Sequence, residues 1–208
     1  MKLLAFDTCL DKTYILLRDD DKILSSKILK SDEKNYHSAY LISTIAKVLK
    51  ENSMTPRDID AIAINVGPGS FTGIRACTTV ARVMAQELNI KAIGISSLEI
   101  LSRVMNDEYI VVLDARKNKG YLYDKELFGA VDLDEIDERV KGRNIITDDR
   151  LFERFQKLGN NVISYQQSGF DLGKILSDIA MERIATEECD WHKLLPLYIQ
   201  PPPVTLKK

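Results

Sequence analysis

The sequence predicts an α/β fold, and three features of its hydrophobic pattern indicate it. The chain opens with three strand-like segments at 2–7, 14–18 and 22–30, and the turns between them are too short for helical crossovers. From residue 37 the pattern alternates between helical and strand-like periods. At Tyr109 a second apolar, strand-like run begins, in the same way as at the N-terminus. These features predict two α/β units in tandem.

The first unit, residues 1–105, has the clearer pattern. Its apolar run IDAIAINV at 59–66 is continuous enough for a strand that is buried on both faces. After the three opening strands, the elements are predicted as helices at 37–50, 74–88 and 96–105 and strands at 59–66 and 91–95. Three antiparallel strands followed by alternating helices and strands is the order of a ribonuclease-H-like half-domain.

The second unit, residues 106–208, is predicted to be smaller, and its pattern is weaker. Strands are expected at 109–113, 120–123, 144–147 and 161–165, and helices at 149–158 and 172–187. Two ribonuclease-H-like units in tandem are the plan of the actin, hexokinase and heat-shock ATPase fold. The predicted fold class is therefore α/β and actin-like, with two tandem half-domains.

Composition and charge exclude several classes of protein. The 208 residues are 45% hydrophobic and 29% charged, which is typical of a globular chain that can bury a core. A net charge of −2 and a pI of about 5.8 do not indicate an autonomous nucleic-acid binder, so any role with RNA is expected to be indirect. Three cysteines without a Cys-x-x-Cys pair indicate neither a disulfide framework nor a zinc site. We find no signal-peptide pattern and no apolar run of about 18 residues, and therefore expect a cytoplasmic protein without a membrane partner.

The segment 66–75, VGPGSFTGIR, is the most informative in the chain. Its glycines allow the backbone to approach another group closely, and the N-terminus of the following helix would suit a phosphate. A Walker A loop is excluded because Gly73 is followed by Ile-Arg instead of Lys and then Ser or Thr. A Rossmann fingerprint is excluded because Thr72 stands at its sixth, glycine position. The alternative is a tight strand-to-helix turn with Thr72 as the N-cap, but an exposed Phe71 and the cation Arg75 favour an interaction surface.

The same segment resembles, almost letter for letter, the VGPGSFTGIR signature of the TsaB (YeaZ) family. Asp7-Thr8 resembles the Asp-Thr-Ser opening of that family, with Cys9 in place of the serine. Shorter resemblances lie at 36–38 (Tyr-His-Ser for Arg-His-Ser), 95–99 (ISSLE), 113–116 (LDAR) and 195–199 (LPLYI). Together they cover the first 125 residues well and the remainder thinly.

The resemblance implies that this chain is an inactive paralogue of TsaD, the glycoprotease-like subunit that transfers the threonylcarbamoyl group. TsaD binds a metal through a His-x-Glu-Gly-His motif. Aligned at Glu99, both histidine positions fall on Ser97 and Leu101, which cannot ligate as imidazole does. The phosphate loop Ser-Gly-Gly-His-Thr of TsaD is matched by 114–120, which has no glycine pair. The resemblance therefore implies no catalytic residue and no metal ligand in this chain.

The function that the resemblance implies is that of a scaffold. It would form a homodimer, pair with TsaD as a heterodimer and recruit the ATPase TsaE into a ternary complex, supporting threonylcarbamoyl transfer to adenosine 37 of tRNA. The chain itself would require no cofactor, and ATP or ADP would bind only at an interface shared with TsaD. Asp7 and Thr8 would form a degenerate phosphate loop. The expected partner or nucleotide surface comprises Gly67, Pro68, Gly69, Ser70, Phe71, Thr72, Gly73, Arg75 and Ala76, together with the exposed side of the helix at 74–88.

A second interpretation belongs to a different class, an autonomous small-molecule kinase of the actin-like fold or a metalloprotease-like enzyme. The missing histidine pair argues against the protease and the missing glycine pair against the kinase. Asp7 lies at the strand end where actin-like ATPases place a metal-binding acid, and the alternative is an acid that caps a turn. His37 is expected at a helix entry or on the surface, and Cys9 and Cys77 as small buried hydrophobes.

Overall fold

The structure is a computed structural model that describes residues 1–30 and 40–200. The expected position of His37, the resemblance at 36–38 and the prolines at 201–203 lie outside the described residues. Over the described ranges, no helix has both the length and the apolar character needed to cross a bilayer.

The first five strands form one mixed sheet in the order β3-β2-β1-β4-β5. They are β1 Lys2–Asp7, β2 Lys12–Asp19, β3 Lys22–Lys30, β4 Ala61–Asn65 and β5 Lys91–Ile95. The opening meander is antiparallel, as its short turns require, whereas β4 pairs parallel to β1 and β5 parallel to β4. The predicted β-β-β-α-β-α-β order of the first half is confirmed.

The second sheet repeats this topology, in the order β8-β7-β6-β9-β10. Its strands are β6 Ile110–Arg116, β7 Lys119–Asp124, β8 Glu126–Asp132, β9 Asn144–Thr147 and β10 Asn161–Ser164. The first three pair antiparallel, and β9 and β10 are parallel to β6, as β4 and β5 are parallel to β1. Two ribonuclease-H-like halves in tandem confirm the predicted actin-like architecture.

Helices cover the faces of both sheets. Within the described residues they are α1 Leu41–Glu51, α2 Phe71–Leu88, α3 Ser97–Ser102, α4 Leu133–Val140, α5 Asp149–Lys157 and α6 Leu172–Arg183. Helices α1 and α2 pack on one face of the first sheet and α6 on the other, whereas α4 and α5 pack on the second sheet. The predicted boundary at 105/106 falls between the two sheets, but α6 and the residues after it return to the first sheet.

Both faces of the central strands are buried, which explains their continuous apolar runs. In β1, Leu3 and Ala5 belong to one hydrophobic cluster, and Leu4 and Phe6 belong to another on the opposite face. The first cluster also contains Val111 and Leu113 of the second half, so the two halves share a continuous core. At about 25 cal/mol per Å² of apolar area removed from water, this burial is the main stabilising term.

Candidate functional site

The glycine-rich loop connects β4 to α2, and the cap of that helix differs from the Thr72 cap of the tight-turn alternative. Ser70, not Thr72, is the N-cap, because its hydroxyl accepts a hydrogen bond from the amide of Gly73 at 3.3 Å. Thr72 lies inside the first turn, with an exposed side chain. The helix therefore begins at Phe71, three residues earlier than the hydrophobic pattern alone indicated.

We expect Ser70→Ala to lower the free energy of unfolding by about 1 kcal/mol, the usual effect of losing a serine N-cap. Thr72→Ala, two residues away, should change it by less than about 0.5 kcal/mol, because its side chain is exposed and caps nothing. Urea unfolding of both variants measures the difference. Equal losses would contradict the cap assignment.

The close approach that the glycines allow is to the chain's own first turn. A Cβ built on Gly73 would lie 1.8 Å from the carbonyl oxygen of Thr8, and one on Gly69 would lie 2.2 Å from that of Cys9. The amide of Ser70 donates to the same Cys9 oxygen at 2.8 Å. The loop is therefore seated on the turn after β1, so these glycines serve an internal contact.

Asp7 lies at the centre of this contact and caps the turn. One of its carboxylate oxygens accepts from the amide of Cys9 at 2.6 Å, and the other accepts from the Asn65 side chain at 2.9 Å. The side-chain oxygen of Asn65 in turn accepts from the amide of Gly67 at 2.8 Å and lies 2.9 Å from the hydroxyl of Ser97. Asp7 is almost completely buried, and this burial raises its pKa to about 6. Its partners fit the turn-capping alternative.

Thr8 joins the turn to α2. Its hydroxyl donates to the carbonyl of Gly73 at 2.8 Å, and its amide donates to the Cys77 sulfur at 3.2 Å. The thiol of Cys9 donates to the carbonyl of Asn65 at 3.2 Å. Cys9 and Cys77 are buried as expected, but both sulfurs also make polar contacts. These contacts place two thiols and the Asp7 carboxylate in one cluster.

The positions that match the metal motif of TsaD have structural contacts here. Ser97 is buried, and its hydroxyl lies 2.7 Å from the carbonyl of Pro68. Leu101 is part of the hydrophobic core. Arg183 of α6 donates to both carboxylate oxygens of Glu99 at 2.9 Å. The expectation that this chain carries no metal ligand rested on these positions and on the absence of a Cys-x-x-Cys pair.

A cleft of about 580 Å³ separates the two halves above the glycine loop. Residues 68–71 line one side, and the hairpin turn after β6 lines the other with the cations Arg116 and Lys117. The backbone of Arg116, Lys117 and Asn118 is left-handed, with φ of 66°, 51° and 57°. Three consecutive non-glycine residues in this region are rare, and the strained turn directs two cations toward the cleft.

Acidic and aromatic side chains complete the cleft. Asp148 caps α5 and also accepts from the amide of Asp114 at 2.6 Å, and its burial raises its pKa. Asp114 pairs with Arg150 at 3.1 Å. The rings of Tyr121 and Tyr165 line the wall. The cleft therefore offers both cations and flat apolar surfaces to a ligand.

The segment after α6 completes the surface beside α2. The sequence pattern did not predict this contact. The ring of Tyr198 stacks on Phe71 with centroids 5.3 Å apart, and its hydroxyl accepts from Arg75 at 3.1 Å. The amide of Leu197 donates to the carbonyl of Val66 at 2.8 Å. The resemblance at 195–199 was the one signal for this segment. Arg75 thus interacts with the tail of its own chain.

The predicted partner surface is partly accessible. Gly69, Ser70, Phe71, Thr72 and Arg75 are exposed, Ala76 is half-buried, and Gly67, Pro68 and Gly73 are buried. Along α2 the exposed side continues through Thr79 to Val83, whose side chain is 55% exposed. The glycine loop and α2 therefore form one continuous exposed strip.

Comparisons with known proteins identify a family and several relatives of this chain. The family model "TsaD: tRNA N6-adenosine threonylcarbamoyltransferase" matches residues 22–162, which is more than half of the chain. The chain is 32% identical over 124 residues to the tRNA threonylcarbamoyladenosine biosynthesis protein TsaB of Bacillus subtilis, covering 58% of this chain and 53% of that protein. With the TsaB of Buchnera aphidicola it shares 34% identity over 101 residues, 49% of this chain and 47% of the relative. It thus spans about half the length of the curated relatives that it matches.

A solved structure shows the same fold over a longer range. YeaZ from Pseudomonas aeruginosa superposes with a TM-score of 0.73 over 95% of this chain and 99% of that one, at 21% identity. On the family match, the chain belongs to the TsaD family, and the curated relatives named above are TsaB proteins.

Proposed function

We propose that this chain is a non-catalytic scaffold subunit in the cytoplasmic synthesis of threonylcarbamoyladenosine in tRNA. It pairs with TsaD, joins TsaE in a ternary complex, forms a homodimer by itself and meets tRNA only through its partners. The observation that carries the proposal is the exposed strip of the glycine loop and α2, with Phe71, Thr72 and Arg75 accessible. This strip lies beside positions that, in TsaD, would take part in the chemistry. In this chain the side chains at those positions make structural contacts instead.

The non-catalytic role is supported by the contacts of Asp7, Ser97 and Glu99. Both carboxylate oxygens of Asp7 accept hydrogen bonds inside the protein, and the Glu99 carboxylate is paired with Arg183. Ser97 is buried under the carbonyl of Pro68. A catalytic group has to reach its substrate, and the side chains of Asp7 and Ser97 are buried with their polar atoms bonded inside the protein.

For the nucleotide we propose that ATP or ADP binds in the cleft when TsaD closes its open side. The cations Arg116 and Lys117 would face the phosphates, and Tyr121 or Tyr165 would contact the base. The same cleft favours a second candidate, a small-molecule kinase of the actin-like fold. The metalloprotease alternative has less support, because the two lost histidine positions are a buried serine and a core leucine.

Native mass spectrometry with the TsaD of the same organism tests the scaffold proposal. We expect the homodimer to exchange into a one-to-one heterodimer, and we expect Arg75→Glu to weaken it at least tenfold by reversing a charge on the exposed strip. Lys141→Glu, an equal reversal at an exposed site in the second half, should leave it unchanged. Absence of any heterodimer would contradict the proposal.

The same samples distinguish the kinase alternative. ATP turnover by the pure chain that Arg116→Ala abolishes, with an unchanged circular dichroism spectrum, would contradict the scaffold proposal and support the kinase. For the scaffold we expect no turnover above the rate of a buffer control.

A further inference from the structure

Three potential metal ligands meet beneath the glycine loop, and none is part of the family's metal motif. A carboxylate oxygen of Asp7 and the sulfurs of Cys9 and Cys77 all lie within 4.8 Å of one another. Ligand atoms around a tetrahedral zinc ion are about 3.5–3.8 Å apart, given bonds of about 2.0–2.3 Å. A contraction of at most about 1.3 Å would therefore bring all three within bonding distance of one ion.

The three ligands come from well-anchored elements. Asp7 ends β1, Cys9 lies in the turn that the glycine loop covers, and Cys77 lies in the second turn of α2. Each is at most 2% exposed. Neighbouring groups also hold the ligands in place, since Asn65 donates to Asp7 and the Thr8 amide donates to Cys77. Such supporting contacts are typical of metal sites, where they orient the ligands.

The chemistry of the set selects the metal. Two thiolates and one carboxylate suit a thiophilic divalent ion, namely Zn²⁺ or its larger analogue Cd²⁺, and do not suit Mg²⁺ or Ca²⁺. A water molecule would complete the tetrahedral shell as the fourth ligand. Cys9 also lines the cleft, which provides a path for entry.

We propose that Asp7, Cys9 and Cys77 bind one thiophilic divalent cation, Zn²⁺ in the cell, beneath the glycine loop. The ion displaces both thiol protons, so binding strengthens as the pH rises. A bound ion would tie β1 to α2 beneath the glycine loop and stabilise that junction. The site is independent of the partner proposed for the exposed strip.

Titration of the chelator-treated full chain with Cd²⁺ tests this proposal through the ultraviolet absorption of cadmium thiolates. We expect one equivalent to bind with the absorbance of two thiolates and to raise the melting temperature. Cys9→Ser and Cys77→Ser should each weaken binding at least tenfold. Cys189→Ser is the matched control, because this half-exposed third cysteine lies outside the cluster and should leave both readouts unchanged.

A second measurement does not depend on the variants folding. X-ray absorption of the wild-type chain loaded with one equivalent of Zn²⁺ should show two sulfur neighbours at about 2.3 Å and lighter atoms completing the shell. A shell of nitrogen and oxygen alone, or cadmium absorbance that survives Cys77→Ser or disappears in Cys189→Ser, would overturn the proposal. Loss of TsaD pairing would not affect it, because the metal is measured on the chain alone.

Discussion

Gly73→Ala is expected to lower the free energy of unfolding by about 3 kcal/mol or more, the largest effect that we predict for a single methyl group. The added Cβ would lie 1.8 Å from the carbonyl oxygen of Thr8 and 2.7 Å from its carbonyl carbon. Backbone atoms cannot move aside as the end of a flexible side chain can. Relief of the overlap therefore has to separate α2 from the turn after β1, breaking the hydrogen bond from the Thr8 hydroxyl.

Urea unfolding followed by circular dichroism measures this loss, and Gly142→Ala is its control. A Cβ at Gly142 meets no atom within 4 Å, but the backbone there has a φ of +72°. At that position the only cost is that of holding alanine in the left-handed backbone region, about 1–2 kcal/mol. If Gly73→Ala were no more destabilising than the control, the result would contradict the close packing of the glycine loop on Thr8.

Ionisation of Asp7 is expected to lower the stability of the metal-free protein by about 3 kcal/mol between about pH 3 and pH 7. Burial raises its pKa from 3.8 to about 6 in the folded state. Below pH 3.8 both states hold the proton. Between the two pKa values the unfolded chain loses its proton first, so rising pH favours unfolding. The shift of about two units, at about 1.4 kcal/mol each, gives the stated loss, which is complete above about pH 7.

Asp7→Asn removes this titration and should flatten that part of the pH profile. We expect the difference in free energy of unfolding between wild type and Asp7→Asn to change by about 3 kcal/mol across this interval, measured in urea with EDTA. Asp21→Asn, which removes an exposed carboxylate in the turn after β2, should keep the wild-type profile. Parallel pH profiles of stability for wild type and Asp7→Asn would contradict the assignment of this pH dependence to Asp7.

Local patterns in the sequence were sufficient for most of the first half. The short turns at 8–11 and 20–21 require antiparallel neighbours, and the doubly apolar run at 59–66 requires a covered central strand. The second half was harder to predict because β8 is an edge strand with exposed Leu127 and Phe128, so its alternation is lost. Helix α4 does carry apolar residues at helical spacing, at Leu133, Ile136 and Val140, and was missed for its short length.

Local patterns in the sequence could not predict contacts between distant segments. The N-cap was assigned to Thr72 because the hydrophobic period begins at Ile74, whereas the seating of Ser70 on Cys9 starts the helix earlier. Tyr198 meets Arg75 from 123 residues away. Nothing in the residues around Arg75 indicates that its partner is the tail of its own chain.

The sequence by itself determined the actin-like fold class and the family signature, since periodicity, turn length and residue identity are local properties. Only the tertiary structure decided what the glycine loop contacts, because that depends on how β1, β4 and α2 pack. The same packing brings Asp7, Cys9 and Cys77 together from positions up to 70 residues apart. Long-range proximity follows from sheet order and close packing, which no local pattern records.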